Sequence, residues 1–270
     1  MLSESQKNRF LEEGYLVVPA VVPHELCDAV IEAITEYAAI DLEEESTWYY
    51  RDFDGHGIIP LHHHQALWDL RQYPGLHKVF SLLYGTENLF VSNDRVSFKP
   101  PAADQTKAWQ REPVHWDCDP WNFNRLGTQG LVYLTDTEEN QGAFSCVPSI
   151  YKNLKQYLSD HKGDGHRRYP KFKDSELVRV AGPKGSLVVF HRLMPHTSDL
   201  NQSDQHRFVQ YVSMGPATEA LRDQTVQEWR DRLLPDWALT QTISTGKVKE
   251  EGPPPVLTEL GRKLVGLDRW

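Results

Sequence analysis

Gly185-Ser186-Leu187-Val188-Val189-Phe190 reads as a turn followed by a short apolar strand. Arg207-Phe208-Val209-Gln210-Tyr211-Val212-Ser213 reads as a second strand, beyond the polar turn 199–205. Side chains alternate along a strand, so Arg207, Val209, Tyr211 and Ser213 share one face. A hairpin across the turn places Arg207 beside the segment that carries His196. An arginine facing the inside of a barrel is costly unless it meets an anion. A guanidinium fork meets a carboxylate in bidentate fashion.

Working outward, strand signals cover 89–92, 95–99, 113–117, 130–135, 143–147, 177–180, 186–190 and 207–214, with Gly, Pro and Asn between most of them. Many short strands at close spacing predict a barrel or jelly roll. Helices are expected at 3–13, at 24–37 with Leu26, Val30, Ile31 and Ile34 on one face, and at 152–161. A strand is expected just after Gly14. Residues 41–75 read as an irregular, aromatic-rich loop containing Trp48-Tyr49-Tyr50, Asp54-Gly55-His56-Gly57 and His62-His63-His64; the histidine run is read as a solvated stretch. The expectation is a single domain over 1–270, mainly β with flanking α-helices. Its core spans about 8–215, with a helical and loop extension at 216–270 broken by Gly252-Pro253-Pro254-Pro255.

The chemistry gathers at His115-Trp116-Asp117. Of the twelve histidines, only His115 has a carboxylate two residues on. On an extended segment, positions i and i+2 present an imidazole and a carboxylate to one metal ion. A second histidine from a distant strand completes a face of two histidines and one carboxylate, the set suited to Fe(II) with open positions. His191 and His196 compete for that role. His196 is favoured by Ser198 at +2 and Arg207 at +11, and His191 is read as a structural or supporting group.

The charge balance, 29 Lys and Arg against 38 Asp and Glu, gives −9, which argues against a nucleic-acid binder. No apolar run approaches the ~18–20 residues of a membrane span. The first residues are polar and lack a signal-peptide core. The last residues, Leu267-Asp268-Arg269-Trp270, carry no peroxisomal tripeptide. Cys27, Cys118 and Cys146 show no paired spacing. A cytoplasmic protein acting on a small-molecule substrate, away from membranes and nucleic acid, is the expectation; the oligomeric state is not legible.

Four segments together resemble the phytanoyl-CoA dioxygenase family of Fe(II)/2-oxoglutarate-dependent oxygenases. They are Phe10-Leu11-Glu12-Glu13-Gly14-Tyr15-Leu16-Val17-Val18-Pro19, Val114-His115-Trp116-Asp117, Leu134-Thr135-Asp136-Thr137-Glu138-Glu139-Asn140-Gln141-Gly142-Ala143, and 185–190 with Leu193-Met194-Pro195-His196-Thr197-Ser198 and Arg207. The resemblance implies a double-stranded β-helix (jelly-roll, cupin-like) core. It implies that His115, Asp117 and His196 hold iron and that Arg207 binds the distal carboxylate of 2-oxoglutarate. Ser198 would assist, and Lys99 would line the co-substrate or substrate pocket; otherwise Lys99 is an exposed strand-end lysine. It implies hydroxylation driven by dioxygen, with release of succinate and carbon dioxide. Related halogenases carry Gly or Ala at the carboxylate position, so Asp117 favours hydroxylation.

The chain departs from the family at Ser149-Ile150-Tyr151, where Gly-Ser-His is common, and at Leu131, where many members have tryptophan. The substrate stays open between an acyl-CoA and another small metabolite. Arg167, Arg168, Lys171 and Lys173 form the densest basic cluster, while the overall acidity leans against CoA. Trp109, Trp116, Trp121 and Phe123 either line an apolar pocket or fill the core. The other reading kept open is a cupin-like barrel that binds Zn or Mn, or senses a ligand without turnover.

Overall fold

The computed structural model describes residues 2–48, 57–101, 111–123, 125–162, 168–232 and 253–270. The strands are β1 (Tyr15–Val18), β2 (Ile58–Ile59), β3 (Leu89–Val91), β4 (Val96–Lys99), β5 (Thr128–Tyr133), β6 (Phe144–Cys146), β7 (Val178–Val180), β8 (Leu187–His191), β9 (His196–Ser198), β10 (Arg207–Tyr211) and β11 (Met214–Pro216). They form a six-stranded sheet in the order β1-β8-β5-β10-β4-β2, a three-stranded sheet β7-β6-β9 and a β11-β3 pair. Every pairing is antiparallel.

Period-two alternation explains why the central strands are apolar throughout. Leu187 and Val189 of β8, Val132 of β5 and Phe208 of β10 belong to the core under the helices. Their neighbours Val188, Phe190, Leu131, Tyr133 and Val209 point the other way, onto Phe144, Cys146 and Val180 of the smaller sheet. Phe144 and Phe190 meet there with ring centroids 4.5 Å apart. Both faces of the large sheet are therefore buried, one against helices and one against the second sheet. This is the expected jelly-roll arrangement.

The helices are α1 (Glu4–Glu13), α2 (His24–Ala38), α3 (Gln65–Arg71), α4 (Pro74–Tyr84), α5 (Pro148–Lys152), α6 (Leu154–Asp160), α7 (Glu219–Asp231) and α8 (Glu259–Leu264). Ser3 and Gln6 close a capping box on α1. Gly14 ends α1 at φ +80°, where a Cβ would lie 2.5 Å from Tyr151 Cδ1. Its carbonyl accepts the His191 N–H at 2.7 Å, tying the α1–β1 junction to the end of β8.

Five expectations need correction. Residues 41–75 are not one loop: α3 occupies part of that stretch and α4 begins at its end, with Leu67, Trp68, Leu70, Leu76, Phe80 and Leu83 buried. His62 and His63 are buried rather than solvated. His62 Nδ1 lies 2.8 Å from the Asn93 carbonyl, and His63 stacks on Trp68. Of that run, His64 alone keeps an exposed position, accepting the Ala66 N–H as the cap of α3. The single helix expected at 152–161 is divided between α5 and α6, and the single strand at 207–214 between β10 and β11. Residues 113–117 are extended, but form a lone bridge rather than a strand. Tyr49, Tyr50, Asp54, Gly55, His56, Trp109, Arg167 and Gly252 lie outside the described residues.

Candidate metal centre and its cavity

His115 and His196 face each other as a reciprocal backbone pair, each N–H donating to the other's carbonyl at 3.0 Å. This bridge brings together residues 81 positions apart. Each ring is then fixed by a local hydrogen bond. His115 Nδ1 lies 2.9 Å from the Pro113 carbonyl and His196 Nδ1 lies 3.0 Å from the Met194 carbonyl. A carbonyl only accepts, so in both rings Nδ1 carries the proton and Nε2 points elsewhere. Both Nε2 atoms point at Asp117: His115 Nε2 is 3.3 Å from Oδ1 and His196 Nε2 is 3.5 Å from Oδ2. The three ligand atoms lie within 4.8 Å of one another.

Three acceptors converging on one point need a positive charge between them. Burial alone would raise the Asp117 carboxyl, but its contacts with the His115 and His196 imidazoles outweigh that and hold the group well below the usual carboxylate range. Burial pulls the His115 imidazole down, and its contacts with Asp117 and Glu112 outweigh that and raise it. Gln129 of β5 donates from Nε2 to Asp117 Oδ2 at 2.7 Å and fixes the carboxylate plane. Two neutral imidazoles with Nε2 free and one carboxylate are a donor set that fits a divalent first-row metal.

Arg207 lies deeper in the barrel, fully buried at the start of β10. Among the described residues its hydrogen bonds go only to hydroxyls: Nη1 to Ser97 Oγ at 2.9 Å and Nη2 to Ser198 Oγ at 3.4 Å. Its Nε is buried without a partner. Ser198 stands two residues beyond His196 on β9, so metal site and arginine are linked through one short strand.

Lys99 is the direct cross-strand partner of Arg207 and is 1% exposed, so the strand-end surface reading is overturned. It is not part of the cavity wall either. Its ammonium donates to the carbonyls of Ser198 and Asp199, bracing the end of β9. His191 stands outside the converging set; its Nδ1 accepts the Leu193 N–H at 3.0 Å and holds the turn after β8. Burial lowers its imidazole to about 4, so it stays neutral.

A cavity of about 350 Å³ opens in front of the triad. His115, Asp117, His196 and Ser198 lie in its wall. So do Gln129, Glu112, Tyr211 and three arginines, Arg95, Arg168 and Arg192, of which the sequence reading named only Arg168, in the basic cluster weighed for an acyl-CoA. Trp116, Trp121 and Phe123 do not line it. Trp116 is core, its Nε1 donating to the Leu193 carbonyl at 2.8 Å. No local pattern marks Gln129; the β5–β8 register alone brings it to the site.

The family model for phytanoyl-CoA dioxygenase matches residues 10–209. A putative phytanoyl-CoA dioxygenase from Dictyostelium discoideum is 25% identical over 77% of this chain and 74% of its own length. A hypothetical protein from Escherichia coli has a similar structure, with TM-score 0.73 at 15% identity over 98% of this chain and 82% of its own. The epimerase SnoN, solved with Fe3+, alpha-ketoglutarate and a nogalamycin compound, aligns with TM-score 0.59 at 18% identity, over 80% of this chain and 84% of its own. The two structural likenesses establish a shared fold.

Proposed function

The chain belongs to the phytanoyl-CoA dioxygenase family and is a 2-oxoglutarate-dependent oxygenase; on that premise we propose that it hydroxylates an unactivated C–H bond of a small organic substrate, releasing succinate and carbon dioxide. His115, Asp117 and His196 would hold Fe(II), leaving positions open for co-substrate and dioxygen. Bound iron supplies the dioxygen activation that couples decarboxylation of 2-oxoglutarate to oxidation of the substrate.

The remaining work falls to the chain. Arg207 takes the distal carboxylate of 2-oxoglutarate, with Ser198 Oγ as a second donor, and so fixes the direction of the co-substrate. Lys99 and Arg207 stand side by side on β4 and β10, and like charges directly opposite repel. An anion at Arg207 relieves that repulsion and satisfies the buried Nε. Asp117 would serve as the third protein ligand, and a carboxylate there favours hydroxylation over halogenation.

One observation carries this reading. Three converging acceptors that need a cation and a buried guanidinium that needs an anion share the same barrel, joined through His196 and Ser198. The test is an anaerobic titration of Fe(II)-loaded protein with 2-oxoglutarate. A weak visible charge-transfer band near about 500 nm is expected when a keto acid chelates an open iron site. Folded, iron-loaded protein that gives no band would point instead to a Zn- or Mn-binding barrel.

A further inference from the structure

We propose that the substrate carries an oxyanion, a carboxylate or a phosphate-type group, and that Arg192 and Arg168, aided by Arg95, bind it in the cavity facing the metal centre. This rests on the reading that His115, Asp117 and His196 hold a divalent cation.

The two leading arginines are placed by their backbones. The Trp116 N–H donates to the Arg168 carbonyl at 3.0 Å. Cys118 Sγ donates to the Arg192 carbonyl at 3.4 Å, and the Arg192 N–H donates to the Gly127 carbonyl at 2.9 Å. Arg168 and Arg192 therefore grip residues 116–118, the stretch that carries Asp117, and both line the cavity. Arg207 is not among the residues of this wall.

Neither guanidinium has a short ion pair among the described residues. Arg192 Nε is buried with no hydrogen-bond partner among the described residues. Arg168 Nη2 lies 3.9 Å from Asp117 Oδ1, beyond hydrogen-bond length. A dication at Asp117 cancels most of that attraction and frees Arg168.

The cavity wall also holds Asp94 and Glu112. Asp94 Oδ1 accepts the Arg95 N–H at 2.8 Å, and Glu112 Oε1 is 3.6 Å from His115 Nδ1. With Asp117 on the metal, three guanidiniums face two carboxylates across the substrate space. A partly buried guanidinium without an anion is costly, and its planar fork matches a carboxylate or phosphate. A neutral substrate would leave Arg192 Nε unsatisfied in the closed complex.

The experiment is calorimetric titration of Mn(II)-loaded protein, redox-silent, with 2-oxoglutarate saturating so that Arg207 is occupied. The probes are hexanoate, propylphosphonate and the uncharged hexanamide. At least one anion should bind at least tenfold tighter than hexanamide, and which anion wins separates the carboxylate from the phosphate-type substrate. Arg192→Met and Arg168→Met should each cut the anion preference about fivefold or more, and the double variant should abolish it. Arg168 is half-exposed, so its variant keeps the test readable should Arg192→Met fail to fold. Equal binding of hexanamide, or full anion preference in the double variant, would overturn the proposal. The 2-oxoglutarate heat is recorded first. Its absence would count against the proposed function, while the anion titration, repeated without co-substrate, still decides this inference.

Discussion

His115 and Asp117 sit on a segment joined to the smaller sheet through one reciprocal backbone pair with His196, whereas Arg207 opens a strand paired on both sides, to β4 and β5. At the mouth, side chains are aimed by single local hydrogen bonds: His115 to Pro113, His196 to Met194, Asp117 to Gln129. On the floor, position follows from sheet register, and burial is complete. The difference teaches where stability and function separate. Mouth residues contribute chemistry and little folding energy. Floor residues are embedded in the fold, so changing them touches both.

The sharpest way to break this contrast is Asp117→Ala. Turnover of 2-oxoglutarate should fall at least about a thousand-fold, since the metal loses its only carboxylate. The metal-free protein should lose only about 1 kcal/mol, because Asp117 gives up its contacts with His115, His196 and Gln129 but supports no core packing. Activity assays beside thermal melts decide it. A melt lowered by several degrees would show that the mouth is structural after all.

Arg207→Met probes the floor. The KM for 2-oxoglutarate should rise about a hundredfold, the loss expected for a charged, bidentate contact of about 3 kcal/mol. In the absence of co-substrate the melting temperature should hold or rise, because methionine removes a buried charge whose Nε has no partner. A clear loss of stability in the apo form would mean that the guanidinium serves the fold rather than an anion.

Lys99→Met is the matched control, since Lys99 lies directly across from Arg207. Its ammonium already donates to the carbonyls of Ser198 and Asp199. Removing it should cost about 2 kcal/mol, the penalty for stranding buried acceptors, and should leave the KM for 2-oxoglutarate within about threefold. Denaturant melts and co-substrate kinetics on one sample separate the two neighbours. A KM shift as large as that of Arg207→Met would return Lys99 to the site.

The same contrast explains what was legible in the sequence. His115 and Asp117 were readable because an i, i+2 relation on an extended chain is local. His196, Ser198 and Arg207 were named from their spacing, but the hairpin expected between them does not form: β9 pairs with β6 and β10 with β4 and β5, so Ser198 and Arg207 meet across the two sheets. The jelly roll was readable from strand spacing. The fate of Lys99 was not, since its acceptors lie 99 and 100 positions away. Arg192 was equally hidden, and Arg168 was visible only as one of a basic cluster: backbone contacts made in the folded chain carry both to residues 116–118. Helices α3 and α4 had apolar residues at helical spacing, Leu67 and Leu70, then Leu76, Val79, Phe80 and Leu83. The histidine run and nearby aromatics obscured that signal, because polar residues next to a helix suggest a loop unless tertiary packing is known.

Gln129 is the finest test of the mouth, because it touches the metal site without belonging to it. Its Nε2 donates to Asp117 Oδ2, while its Oε1 is buried with no partner among the described residues. Gln129→Leu therefore removes one favourable hydrogen bond and one unsatisfied acceptor together, and the two effects on stability oppose each other. The melting temperature should barely move. Metal affinity should still fall about tenfold, as is usual when the group orienting a ligating carboxylate is lost. Gln129→Glu should lower it further under turnover conditions, by setting a second carboxylate against Asp117. Competition with a metal-sensitive chelator measures both variants on one scale. Unchanged affinity in Gln129→Leu would mean that the two histidine contacts alone aim Asp117, and that the mouth is more rigid than its single backbone bridge implies.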